Sequence, residues 1–140
     1  MTKWIAYAAL VALGSLTSAS RWLPAERIVP NDNRRSGGTL KHGVLTIALE
    51  ARTGVWRPEG DSGRALEVAA FGEPGKALST PGPVIRVPLG TEIHATVRNR
   101  LDRPLTIYGF DRIQGQPDSV TIPVEGTVPL RFKATAAGTF

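Results

Sequence analysis

The stretch Thr91–Asn99 restricts the fold more than any other part of the chain. Ile93, Ala95 and Val97 alternate without a break with Glu92, His94, Thr96 and Arg98. In an extended strand this spacing sends the apolar set to one face and the polar set to the other. A helix would spread both sets around its circumference. Other runs follow the same logic. Val44, Leu45, Ile47 and Leu49 form a mostly alternating segment, Leu66, Val68 and Ala70 share a face within Ala65–Phe71, and Leu130 and Phe132 oppose Arg131 and Lys133 within Val128–Ala134. Shorter strands are expected at Val84–Leu89, where Pro88 indicates an edge or a bulge, from Leu105 through Ile107, and over Ser119–Val124.

Between these runs lie turn formers. The 15 glycines and 11 prolines are spread along the chain, as many short strands joined by turns require. Gly54, Pro58, Gly60, Asp61 and Gly63 mark a loop, and Trp56 inside it is expected to fold over a sheet edge. Gly72–Pro83 reads as a long irregular connection, Leu101–Pro104 as a turn and Asp111–Asp118 as a polar loop. No helix of three turns is expected after the N-terminal leader described next, and no internal repeat is visible. The pattern predicts an all-β sandwich or barrel, and 140 residues suffice for one such domain.

Residues 1–20 have the three parts of a secretory signal peptide. Lys3 gives a short positive start, Trp4–Leu16 is apolar apart from Gly14 and Ser15, and Thr17, Ser18 and Ala19 are small residues of the kind a signal peptidase reads. Cleavage is expected after Ala19 or Ser20. The apolar run is shorter than the roughly 20 residues that span a bilayer, so no membrane segment is expected after cleavage. Arg34-Arg35 follows that run instead of preceding it, which argues against a twin-arginine signal. An exported, periplasmic or extracellular protein is therefore expected. Residues 21–42, with Pro24, Pro30, Asn31, Asp32, Asn33, Gly37 and Gly38, read as a linker, and 43–140 as the domain.

Composition removes several chemistries. With no cysteine, the chain cannot form a disulfide, a thiolate nucleophile, an iron–sulfur cluster or a blue-copper site of the usual kind. The formal charge of +5 is carried by basic residues scattered along the sequence, which fits a solvated basic surface and not a nucleic-acid groove with interleaved aromatics. There is no G-x-S-x-G run for a hydrolase, and Arg35-Ser36-Gly37-Gly38-Thr39 lacks the spacing and the lysine of a phosphate-binding loop. Nothing in the spacing of Glu50, Glu59 and Asp61 sets the carboxyl separation a glycosidase needs. His94 is out of phase with the apolar face of its strand and is expected in solvent, and His42 stands at a loop–strand boundary.

Pro81-Gly82-Pro83-Val84-Ile85-Arg86-Val87 resembles the strand that opens with Pro-Gly-Pro in the first cupredoxin (plastocyanin-like) domain of multicopper oxidases. The likeness continues through Val97-Arg98-Asn99-Arg100-Leu101, Pro104-Leu105-Thr106-Ile107, Ile122-Pro123-Val124-Glu125-Gly126, and Phe132-Lys133-Ala134 followed by Ala137-Gly138-Thr139-Phe140. It covers roughly residues 43–140, and the order and spacing of its pieces make it specific. The resemblance implies a cupredoxin-like Greek-key β-sandwich, incomplete at its C-terminal strand.

The resemblance also implies where copper ligands would be. The family's first domain gives two His pairs to a trinuclear copper cluster, one of them from an H-W-H-G run. Here that place reads Ile107-Tyr108-Gly109-Phe110-Asp111, with no histidine. Tyr108 occupies the expected copper-ligand region and is a poor replacement for a neutral nitrogen ligand; its other reading is a half-buried aromatic whose hydroxyl reaches water. Phe110 and Asp111 flank it, and Asp111 with Arg112 also reads as loop decoration. The second pair belongs to an H-x-H motif a few residues beyond Gly-Thr-Phe, past Phe140. Two functions stay open. The chain is the first domain of a copper-dependent oxidoreductase that uses oxygen as acceptor, with later cupredoxin domains as its partners and copper in the full-length parent but none in this chain alone. Alternatively, it is a copper-free structural or binding module.

Overall fold

A computed structural model describes residues 25–108 and 119–138. The named elements among the described residues are all strands: β1 (Val29–Pro30), β2 (Thr39–Lys41), β3 (Val44–Trp56), β4 (Leu66–Gly72), β5 (Ser79–Thr80), β6 (Glu92–Asn99), β7 (Leu105–Tyr108), β8 (Ser119–Ile122) and β9 (Thr127–Lys133). The larger sheet runs β1-β5-β4-β3-β6-β9, with β2 also paired to β3, and β7 and β8 form a separate antiparallel pair. As its alternation requires, β6 buries Ile93, Ala95 and Val97 and exposes Glu92 and Thr96. Those three residues meet Leu45 and Ile47 of β3, Leu130 of β9 and Ile122 of β8 in the core, with Leu105, Ile107 and Val120 of the small sheet packed against them. β9 returns beside β6 after β7 and β8 have crossed to the second sheet, a Greek-key return.

β3 is the spine of the sandwich. Its first half pairs in parallel with β6, from Val44↔Glu92 to Leu49↔Val97, and on the other edge with β2. Its second half pairs with β4, from Glu50↔Gly72 to Trp56↔Leu66, and the edge left by β6 is filled by an N-terminal segment through the bridge Arg27↔Val55. The strand thus runs well past the Leu49 expected from alternation, and Trp56 is its last paired residue instead of part of a loop. Gly54, read as a turn former, has a different task. A Cβ there would lie 2.8 Å from the Glu26 carbonyl oxygen, 2.8 Å from Ile28 Cγ1 and 2.9 Å from Leu78 Cδ1. Glycine lets another piece of backbone cross the strand closely.

That piece belongs to the stretch expected as a linker. Over its described part, 25–42, the stretch is built into the fold. Ile28 N–H donates to the Val55 carbonyl at 2.9 Å, Val29 N–H to Leu78 at 2.9 Å and Asn31 N–H to Thr80 at 3.0 Å. The Ile28 side chain is only 1% exposed. Glu26 accepts hydrogen bonds from Arg52 Nη2 and from Leu78 N–H, both at 3.1 Å, and Arg52 also reaches Glu50 at 3.3 Å. Farther along, Gly37 N–H donates to Val84 and the Ser36 hydroxyl accepts from Arg86 N–H. The packed unit therefore begins well before His42. Val84–Leu89, expected as a strand, joins no sheet ladder; its backbone is engaged by this strap instead.

Asn99 closes the other end of β6. It is 0% exposed, the two N–H groups of its Nδ2 are shared among the carbonyls of Arg103, Ile122 and Pro123 at 2.8, 3.0 and 3.2 Å, and its Oδ1 accepts from Leu101 N–H at 3.0 Å. One amide thereby joins β6, the turn after it and the end of β8.

Candidate functional site

Tyr108 ends β7, opposite Ser119 of β8. It is 76% exposed, not half-buried, so its ring stands outside the core. Phe110 and Asp111 lie outside the described residues. The structure thus places one of the three residues singled out around the expected copper-ligand position, on the rim of the small sheet.

The two histidines do not make a copper site with it. His42 is in the β2–β3 turn, in the left-handed region at φ 49°, and is exposed. His94 points away from the core, as expected from its phase, and its Nε2 lies 2.6 Å from Glu92 Oε1. Among the described residues no three His, Cys, Asp or Glu side chains come together to hold a metal. The donor set reinforces this: two histidines and no cysteine in all 140 residues cannot supply the imidazoles of a trinuclear cluster or the thiolate of a blue-copper centre. The residues present do not fit that cofactor.

A shallow cleft of about 560 Å³ lies where β2 turns into β3 and the ends of β6 and β9 meet; His42, Gly43, Glu92, Arg131, Phe132 and Lys133 line it. Register creates it. Val44 stands opposite Glu92, which stands opposite Lys133, while Thr46, His94 and Arg131 form the next row. The His94 hydrogen bond and the charge of its ring hold the Glu92 carboxyl below its ordinary value of 4.5, with smaller help from Arg131 and Lys133. A depressed carboxyl stabilises the fold above about pH 4.5 and loses that effect as pH falls through its folded value. Glu92 stands in solvent, where screening keeps the effect small. A carboxyl-carbon NMR titration should find the Glu92 midpoint below 4.5 and show it rising in His94→Ala. An unmoved midpoint in that variant would remove His94 as the cause. Strand alternation alone could not reveal this cluster, because it depends on how three separate strands align.

No protein-family model and no curated protein matches the chain. Among solved structures it is similar to a multicopper oxidase from Campylobacter jejuni, described as a metallo-oxidase, with a TM-score of 0.51 and 16% identity over 81% of this chain. The fold is a cupredoxin-like β-sandwich. A laccase from Pediococcus acidilactici is also similar, with a TM-score of 0.49 and 18% identity over 81% of this chain. The match covers 22% of the first of these structures and 23% of the second, so the chain spans less than a quarter of either. At these identities the likeness is one of fold. Within this cupredoxin-like sandwich, the side-chain hydrogen-bond partners of Asn99 are all backbone groups.

Proposed function

We propose that this chain is the N-terminal plastocyanin-like domain of an exported multicopper-oxidase-type protein, with a scaffolding role toward later cupredoxin domains of the same parent. The observation that supports the reading best is the superposition of 81% of the chain on 22% of a metallo-oxidase, a domain-sized share. The order of the Pro81–Val87, Val97–Leu101 and Ile122–Gly126 segments agrees with it, and the leader-like residues 1–20 support export. In the parent, copper would carry single electrons from a reducing substrate to oxygen. The donors of this chain do not hold that copper, so the isolated chain is not catalytic.

Copper loading followed by removal of excess metal and elemental analysis tests the last point. The expected result is well under one tightly bound copper per chain, with no blue or near-ultraviolet charge-transfer band. Stoichiometric copper with such a band would overturn it.

The run Ile107-Tyr108-Gly109-Phe110-Asp111, which has no histidine, favours a second reading, a copper-free structural or binding module. The gene beyond Phe140 separates the two. An H-x-H pattern within about ten codons and a distal H-C-H region would supply the missing imidazoles and thiolate and support the oxidoreductase. A downstream sequence without them would support the module.

A further inference from the structure

The segment from Val84 to Leu89 leads the chain into β6 and is held along one side only. Gly37 N–H donates to the Val84 carbonyl at 2.7 Å, and the Ser36 hydroxyl takes the Arg86 N–H at 3.0 Å. Ile85 and Val87 alternate with these two residues, so in an extended chain their backbone groups point away from the strap. Among the described residues, neither the N–H nor the carbonyl of Ile85 or of Val87 has a hydrogen-bond partner. The same phase of the segment is apolar. Val87 packs against the core, while Ile85 stays 37% exposed and Leu89 65% exposed. Pro83 and Pro88 bracket the edge and keep it too short to recruit strands indiscriminately.

We propose that the edge at Ile85 and Val87 takes up an extended strand from the parent polypeptide beyond Phe140, which pairs with this segment and covers Ile85 and Leu89. The inference rests on the reading of this chain as one domain of a longer protein. Backbone chemistry selects the kind of occupant. An N–H and a carbonyl that recur at every second residue are matched by another extended main chain about 4.8 Å away. A helix uses these groups internally and cannot supply them. The exposed Ile85 and Leu89 ask for apolar side chains at alternate positions of the incoming strand. Length points to its source. In a parent of the size of the metallo-oxidase, most of the polypeptide lies outside the 22% that this chain matches. A strand supplied by the same polypeptide arrives at high effective concentration, so a short ladder suffices to hold it.

Hydrogen exchange at the amides of Ile85 and Val87, compared between the 140-residue chain and the full-length gene product, tests the proposal. In the 140-residue chain both amides should exchange within about tenfold of an unstructured peptide, while Ile93 in β6 is protected. In the full-length protein both should slow by at least about a hundredfold. Strong protection already present in the shorter chain would overturn the assignment. Protection that appears there only as protein concentration rises would overturn it too, since the edge would then belong to a second copy. Fast exchange in the full-length protein would show that no strand docks. Copper in the full-length protein is measured separately. Slowed amides in a copper-free parent would remove the oxidoreductase reading and uphold the docked strand, and fast amides in a copper-loaded parent would do the reverse.

Discussion

Asn99→Ala should lower the unfolding free energy by about 3 kcal/mol, with the loss read as a shift in urea midpoint at unchanged slope. The side chain is fully buried and hydrogen-bonds to four backbone groups. Truncation takes the amide partner from the buried Ile122 carbonyl and the buried Leu101 N–H, whose loss costs about 1–3 kcal/mol each, while the Pro123 carbonyl keeps the Gly126 N–H and the exposed Arg103 carbonyl can turn to water. Asn99→Asp discriminates this account from simple loss of packing. A carboxylate keeps the shape and can still accept from Leu101 N–H, but it has no N–H to donate, so three carbonyl oxygens would face a negative charge. Asn99→Asp should therefore be more damaging than Asn99→Ala at neutral pH, despite being the smaller change in volume. If the aspartate variant is as stable as the native chain, the amide is not the joint described above.

A second large effect is expected in the N-terminal strap. Ile28→Ala should cost about 3–4 kcal/mol, because the side chain is 1% exposed and wedged between Gly54 of β3 and Leu78, leaving a cavity that two backbone crossings prevent from collapsing. Beginning the chain at His42 should be worse. It removes the partners of Val55, Leu78 and Thr80, uncovers Leu78, and takes Glu26 away from Arg52. Arg52 would then keep Glu50 as its remaining carboxylate partner. Such a chain should give no cooperative urea transition and a collapsed amide spectrum. A dispersed spectrum and a normal transition would show that the strap is an accessory and not part of the sandwich.

Both effects bear on what the sequence revealed. The alternation of Ile93, Ala95 and Val97 predicts β6 and its buried face correctly because one face of its sheet packs on the core and the other meets solvent, which leaves the period of two intact even beside the parallel partner β3. In the sequence Gly54 and the residues Pro30, Asn31, Gly37 and Gly38 look like punctuation, yet in the fold Gly54 and Gly38 serve close approach. A Cβ on Gly38, where φ is 72°, would lie 2.6 Å from the Thr46 carbonyl oxygen. Local sequence cannot separate a glycine that turns the chain from one that lets two backbones touch, since both are answered by the missing Cβ. The candidate site was less legible still. Tyr108 could be found from a resemblance, but its exposure comes from its place at the end of a two-stranded sheet. The meeting of His42, Glu92 and Lys133 at the cleft is a property of pairing register, which no single strand encodes.

The position of β3 between partners far apart along the chain has a consequence for synthesis. As the polypeptide leaves the ribosome, β2, β3 and β4 can form a meander from neighbouring residues alone. The parallel partner of Val44 is Glu92, so one flank of that meander stays unfilled until β6 has emerged in full. During that interval Leu45 and Ile47 have no second layer above them, and a nascent chain stalled there would present a sticky, half-built sheet to whatever holds or translocates it.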